Sequence, residues 1–179
     1  VVFNVVAASG PYNEQVVIPQ IAGSSAVNTL TINGNGNTLT FAATVGNPNT
    51  LTLTGADYTL INNLTIIGTN ASAAIACHLW NIADNNSFTN CTLTVPMGNS
   101  TSNAAFAISG SLTSITAAGP AGSFNVLDGC NFNNGGSNVS FVGNAAPNLA
   151  VGNVVKNSTL HDFFQYGVVL NNQDATLVS

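Results

Sequence analysis

Apolar and polar residues alternate with period two in short runs along this chain: Thr29-Leu-Thr-Ile32, Thr38-Leu-Thr-Phe41, Thr50-Leu-Thr-Leu-Thr54 and Thr92-Leu-Thr-Val95. β-Branched residues fill these runs. The alternation turns Leu, Ile and Phe to one side and Thr to the other, so each run predicts a half-buried strand. Between them lie Asn-Gly-Asn-Gly at 33–36, Gly-Asn-Pro-Asn at 46–49, Asn-Asn at 85–86 and Asn-Asn-Gly-Gly at 133–136. Such residues tolerate positive φ and mark tight corners. No window sustains a 3.6-residue apolar stripe with caps, and almost no α-helix is predicted.

The runs belong to a repeat. Four stretches can be laid over one another: Ala56-Asp57 to Thr65-Ile66, Ala83-Asp84 to Thr92-Leu93, Ala121-Gly122 to Asn131-Phe132, and Ala150-Val151 to Thr159-Leu160. In each, an apolar residue (Ile61, Phe88, Leu127, Val155) is followed two positions later by Asn63, Asn90, Gly129 or Asn157. The copies begin roughly 27, 38 and 29 residues apart. Units of this length stack on their neighbours to bury an apolar side, and strand-like alternation makes each unit one coil of a parallel β-helix. The expectation is an all-β chain, one solenoid of about six to seven coils, spanning 10–27, 28–48, 49–72, 73–102, 103–137, 138–164 and 165–179. Its core would hold the columns Ile61, Phe88, Leu127, Val155 and Ile66, Leu93, Phe132, Leu160.

Composition narrows the setting. The 179 residues permit one domain, and 45% hydrophobic residues suffice to fill its core. Only 4% of residues are charged, against roughly 25% in an average soluble domain. Solubility then rests on Asn, Thr and Ser, and the surface is neutral. One basic side chain and a net charge of -5 argue against nucleic acid or an anionic membrane as partner. No stretch approaches the roughly 20 apolar residues of a transmembrane helix, so no membrane insertion is expected. Val1-Val-Phe-Asn-Val-Val6 starts inside a strand-like run, and the run ending at Leu177-Val-Ser179 stops before a corner. A β-helix coil left open exposes sheet edges. A segment of a longer chain or filament is expected, or one whose edges other copies cover.

The stretch Gly10-Pro-Tyr12-Asn-Glu14-Gln-Val16-Val-Ile18 resembles the Gly-x-Tyr-x-Glu-x-Val-x-Ile first coil of pectin-esterase-like and many bacterial surface β-helices. With Asn28-Thr-Leu-Thr-Ile32 and Gly55-Ala-Asp-Tyr58, the chain looks like a right-handed parallel β-helix of the pectin-lyase-like superfamily. It is similar to large secreted surface β-helix proteins of Bacteroidota exported by the type IX route. The resemblance implies a right-handed coil and an extracellular or cell-surface setting. It implies little about activity, because the architecture hosts lyases, hydrolases, esterases, adhesins and ice binders.

Enzymatic readings meet few of the residues they need. Pectate lyases resemble this fold but hold calcium on carboxylates and use Arg or Lys as base. The only basic candidate here is Lys156, which shares a column with Asp128 and is expected in an outward ion pair. Hydrolases of this shape need clustered carboxylates, whereas Glu14, Asp57, Asp84, Asp128, Asp162 and Asp174 are mostly solitary. Asp57 and Asp84 are the exception, falling at equivalent positions of successive copies. They fit a corner carboxylate that accepts a backbone N–H, and also, more weakly, a cation site or an acid–base pair. No catalytic residue and no cofactor is assigned.

Cys77, Cys91 and Cys130 lack paired zinc spacing. Cys91 and Cys130 share an inward column with Leu64 and Ser158; they are read as free buried thiols, with a bridge between neighbouring rungs as the alternative. His78 and His161 are read as surface or turn residues. Asn63, Asn90 and Asn157 are expected to form a structural ladder of side-chain amides. Thr29, Thr31, Thr38, Thr40, Thr50, Thr52 and Thr54 are expected to stand in outward ranks on a flat face, the candidate contact surface.

The functional expectation is a non-catalytic extracellular structural or adhesive segment. Its partners would be other copies of itself or further β-helix segments of the same chain. One alternative is an ice- or neutral-polysaccharide-binding helix acting through the Thr ranks. Another is scaffold belonging to a carbohydrate-active enzyme whose catalytic residues lie elsewhere.

Overall fold

Ile61, Phe88, Leu127 and Val155 lie side by side in one interior file, each in register with the next and each no more than 1% exposed. In the computed structural model, which describes residues 1–179, this file belongs to a parallel β-solenoid without helices.

Each coil runs through three sheets, A, B and C. The strands in chain order are β1 (Val2–Asn4), β2 (Tyr12–Asn13) and β3 (Val16–Pro19) in the first coil, then β4 (Leu30–Asn33), β5 (Thr38–Phe41) and β6 (Asn49–Thr54). The third coil has β7 (Thr59–Asn62), β8 (Thr65–Gly68) and β9 (Ile75–Trp80), and the fourth β10 (Ser87–Thr89), β11 (Thr92–Thr94) and β12 (Ala104–Ile108). The fifth has β13 (Val126–Asp128), β14 (Asn131–Asn133), β15 (Ser137–Val142) and a short β16 (Ala150–Val151). The sixth comprises β17 (Val154–Lys156), β18 (Thr159–His161), β19 (Tyr166–Asn171) and β20 (Gln173–Asp174), and β21 (Leu177–Val178) opens a seventh. Every strand pairs in parallel with its counterpart one coil away, giving seven strands in sheet A and six each in B and C.

The second expected column also stands in register: Tyr12, Leu39, Ile66, Leu93, Phe132 and Leu160 line the inner side of sheet B. Sheet C supplies a third wall, with Leu51, Cys77, Phe106 and Val139 in one file and Leu53, Leu79, Ile108 and Phe141 in the next. Phe106 is the hub. Its ring meets Phe88, Phe132 and Phe141 edge-on at centroid distances of 5.1, 6.5 and 6.1 Å, so one aromatic cluster ties all three sheets together. Full burial of each such side chain is worth about 1.5–3 kcal/mol.

Corner lengths follow a rule. Between sheets A and B the corner shortens from 5–11 and 34–37 to two residues in the next four coils (63–64, 90–91, 129–130, 157–158), whereas between C and A the connection varies throughout, through 20–29, 55–58, 81–86, 109–125 and 143–153. The third copy of the repeat begins one residue later than its sequence alignment places it. Ser123, not Gly122, stands over Asp84, and Gly122 lies against Ala83, where a Cβ would come within 1.9 Å of the Ala83 carbonyl oxygen. Only glycine fits that approach.

Candidate functional site

The exposed residues Asn63, Asn90, Gly129 and Asn157 hold φ of 51°, 53°, 63° and 50° at the A–B corner. Asn and Gly take this left-handed conformation at least cost. They do not form the expected amide ladder; Asn157 instead donates its side-chain N–H to Asp128 Oδ1 at 2.9 Å. The ladder runs four residues earlier, at the buried entrance to sheet A, through Asn86, Asn125 and Asn153. Asn86 Oδ1 accepts the Thr59 N–H, Asn125 Oδ1 accepts the Asn86 N–H, and Asn153 Oδ1 accepts the Asn125 N–H, at 2.9 to 3.0 Å. Their Nδ2 groups donate to the carbonyls of Ala56, Ala83 and Gly122. A ladder is needed where backbone groups are sealed from water, which is true here and not at the exposed corner. The signal was an Asn two residues ahead of Phe88, Leu127 and Val155, with Thr59 in its place ahead of Ile61.

Asp57 and Asp84 do stand on successive rungs. Asp57 Oδ1 accepts the N–H of Asp84 at 2.8 Å, and Asp84 Oδ1 accepts that of Ser123 at 2.7 Å. Each carboxylate thus receives the backbone of the next coil. Burial raises the pKa of Asp84; the Ser123 N–H works against that rise, and the nearby Asp57 charge adds to it. Lys156 Nζ lies 3.3 Å from Asp128 Oδ2 across one rung, half-exposed. The Asn157 amide first, and then Lys156, lower the Asp128 pKa.

All three cysteines are free and buried. Cys91 and Cys130 direct their thiols to the carbonyls of Ile61 and Phe88. The two stacked thiols act on each other: the neighbouring Cys130 lowers the pKa of Cys91, while Cys130 is pushed up by Cys91 and by burial. Burial likewise raises Cys77.

His78 is not a surface residue. It sits on the outer side of sheet C with no exposed area, because the C–A connection from Ser109 to Gly119 folds back over that side. Sheet C permits this because its alternation slips: Ala76 and Cys77, like Ala105 and Phe106, both join the main core, whereas Ile75, Ala104 and Ala107 form an outer cluster with Ile115 of the cover. His78 Nδ1 lies 2.9 Å from Asn49 Oδ1 and Nε2 lies 2.8 Å from Ser109 Oγ. Asn49 Nδ2 donates to the Leu112 carbonyl, which leaves Oδ1 as an acceptor and places the imidazole proton on Nδ1. The Ser109 hydroxyl has one proton for three acceptors, His78 Nε2, the Ser114 carbonyl at 2.6 Å and the Ser111 carbonyl at 3.1 Å. Burial lowers the His78 pKa to about 3. A serine, a histidine and an asparagine in this order resemble a nucleophile, base and orienting group, but here all three are sealed and their bonds pin the cover down. His161 is different: half-exposed, it bonds Asp162 Oδ2 at 2.7 Å through Nδ1 and lies 3.2 Å from Asn131 Oδ1 through Nε2.

The threonines do not share a flat face. Thr29 lies just before sheet A and Thr31 in it, Thr38 and Thr40 belong to sheet B, and Thr50, Thr52 and Thr54 to sheet C, where Thr50 and Thr52 are buried. Runs adjacent in sequence turn a corner and land on different sheets; residues in one rank are a whole coil apart. The rank that does form is on sheet B, where Thr38, Thr65, Thr92, Asn131 and Thr159 follow one another in register. Beside it run Thr40, Ile67, Thr94 and Asn133.

One cleft of about 250 Å³ opens on the outer side of sheet C, between the cover and the corner at 46–48. Gln15, Asn47, Asn49, Thr52, Thr54 and Thr113 supply its polar lining, and no charged residue lines it. Gln15 and Asn47 hold each other through paired amide bonds of 2.6 and 3.0 Å, and Gln15 also donates to the Asn49 carbonyl. These features define the chain as a parallel β-solenoid with one roofed side and one ranked side. The chain matches no known protein family, curated protein or solved structure.

Proposed function

We propose that this chain is a non-catalytic structural or adhesive β-helix segment of an extracellular or surface protein, in contact with other copies of itself or further coils of the same kind. The observation that carries the reading is the ranked side of sheet B, where neutral hydroxyl and amide groups repeat from coil to coil, about 4.8 Å apart along the stack. A straight, uncharged, repeating surface suits extended contact with another repeating surface. The buried ladder and the in-register core give the rod the stiffness such a role requires. Electron microscopy of the native material tests it: rods or surface-attached filaments are expected, and isolated intracellular particles overturn it.

The same rank favours a second reading, a surface for ice or for a neutral polysaccharide. Thermal hysteresis by the isolated chain, abolished by Thr92→Lys, supports the ice form of that reading; its absence removes it.

A further inference from the structure

The cleft on the outer side of sheet C is built to hold something, and its chemistry narrows what. Its wall and floor are set before any ligand arrives: the Gln15–Asn47 amide pair fixes one rim, and the bond from Asn49 to the Leu112 carbonyl fixes the cover that forms the other. Thr52 lies on the floor, 2% exposed, and neither its hydroxyl nor that of Thr54 makes a hydrogen bond within the protein. Both hydroxyls are therefore free to meet a molecule that enters the cleft.

The lining holds no carboxylate for a cation and no basic group for an anion, so a charged ligand would enter uncompensated. Beside the hydroxyls lie apolar surfaces, Val17 and Leu112 in the cleft and Trp80 in register with Thr54 one coil further on. Trp80 shares the outer side with His78, two residues before it on β9, and is the only tryptophan in the chain. A ligand that suits this lining is uncharged, carries hydroxyls on its edges and presents a flat C–H face to an indole or aliphatic platform.

We infer that this cleft is a subsite for a neutral sugar chain, its hydroxyls met by Thr52, Thr54 and the Gln15–Asn47 rim, with Trp80 as the platform for the adjoining ring. The inference gives the adhesive reading a ligand class, but the cleft stands on its own geometry. The cover segment gains a role here: the Ser109–His78–Asn49 chain positions it as the wall of the cleft.

The test is calorimetric titration of the full chain with linear neutral hexasaccharides of glucose, mannose, galactose and xylose, and with hexagalacturonate as the anionic control. At least one neutral hexasaccharide is expected to bind and hexagalacturonate is not. Thr52→Val removes one hydroxyl at constant shape, and Thr54→Leu fills the cleft from its more open side; each is expected to weaken binding at least tenfold without lowering Tm. Trp80→Ala is expected to weaken it as well. Binding to none of the neutral chains, tighter binding of hexagalacturonate, or undiminished binding by both threonine variants overturns the inference. Thr92→Lys on sheet B separates the two surfaces: loss of binding there, with the cleft variants unaffected, also overturns it. A chain that binds sugar but forms no surface-attached material retains the cleft and loses only the adhesive reading.

Discussion

Asn125 stands one coil beyond Asn86 and takes, on a single oxygen, both the backbone N–H and the side-chain N–H of that residue, at 3.0 and 3.1 Å. Asn125 in turn donates to Ala83 and leans on Asn153, so it carries bonds in both directions along the stack. Replacing it with Ala strips partners from several sealed groups at about 1–3 kcal/mol each. Asn125→Ala is expected to lose about 3 kcal/mol or more in urea unfolding, far more than Asn63→Ala at the exposed corner.

The ladder has a defect at its early end. Thr59 fills the column and its Oγ1 is buried without a hydrogen-bond partner. Thr59→Val keeps the shape and removes the unmet hydroxyl. A gain of about 1 kcal/mol is expected, read as a rise in the urea midpoint at constant m-value.

Phe106 joins three aromatic neighbours from different sheets. Phe106→Ala is expected to cost about 3–5 kcal/mol, and Phe88→Asp, which places a carboxylate in the same cluster, is expected to abolish cooperative unfolding. Phe164→Ala, at an exposed corner, serves as the control and is expected to leave the transition unchanged.

His78 gives stability a pH dependence whose sign follows from its two states. Folded, it resists protonation down to about 3; unfolded, it protonates near 6.5. Between these values the unfolded chain holds the extra proton, so the contribution is complete above 6.5 and is lost as pH falls towards 3, at about 1.4 kcal/mol per pH unit. Unfolding of wild type and His78→Gln over this range should differ in slope by that amount.

Asp84 acts in the opposite sense. Its raised pKa means that the charged carboxylate is disfavoured in the fold. Asp84→Asn keeps an oxygen for the Ser123 N–H and removes the charge beside Asp57. The variant is expected to be as stable as wild type or up to about 1 kcal/mol more stable at neutral pH. The advantage should disappear in acid, where wild-type Asp84 is already protonated.

The files on sheets A and B were legible in the sequence because their strands obey a strict period of two and, in four coils, are joined by a corner of two residues. Ile61 and Ile66 report their neighbours directly. Sheet C was opaque for two reasons. Its alternation slips at Ala76–Cys77 and Ala105–Phe106, so period two misassigns its sides. Its outer side is hidden by a segment that starts 31 residues after His78, at Ser109, and no local pattern announces that cover. The burial of His78 and Thr52 and the cleft beside them are products of that long-range contact, whereas Thr50 turns inward and donates to the Ile67 carbonyl. The two asparagine columns show the same limit: sequence reveals that Asn recurs, but burial decides whether its amide or its backbone flexibility is in use.

The unequal corners determine where this architecture admits new material. The corner between the first and second sheets holds two residues in four coils and grows only to 34–37 and 5–11 at the early end, so it admits little. At the edge between the third and first sheets, the connection already ranges from 55–58 to 109–125 while the rungs on either side stay aligned. That edge is the insertion hotspot of the rod, the place where a foreign peptide can be displayed or a new recognition loop acquired while the spiral keeps its pitch.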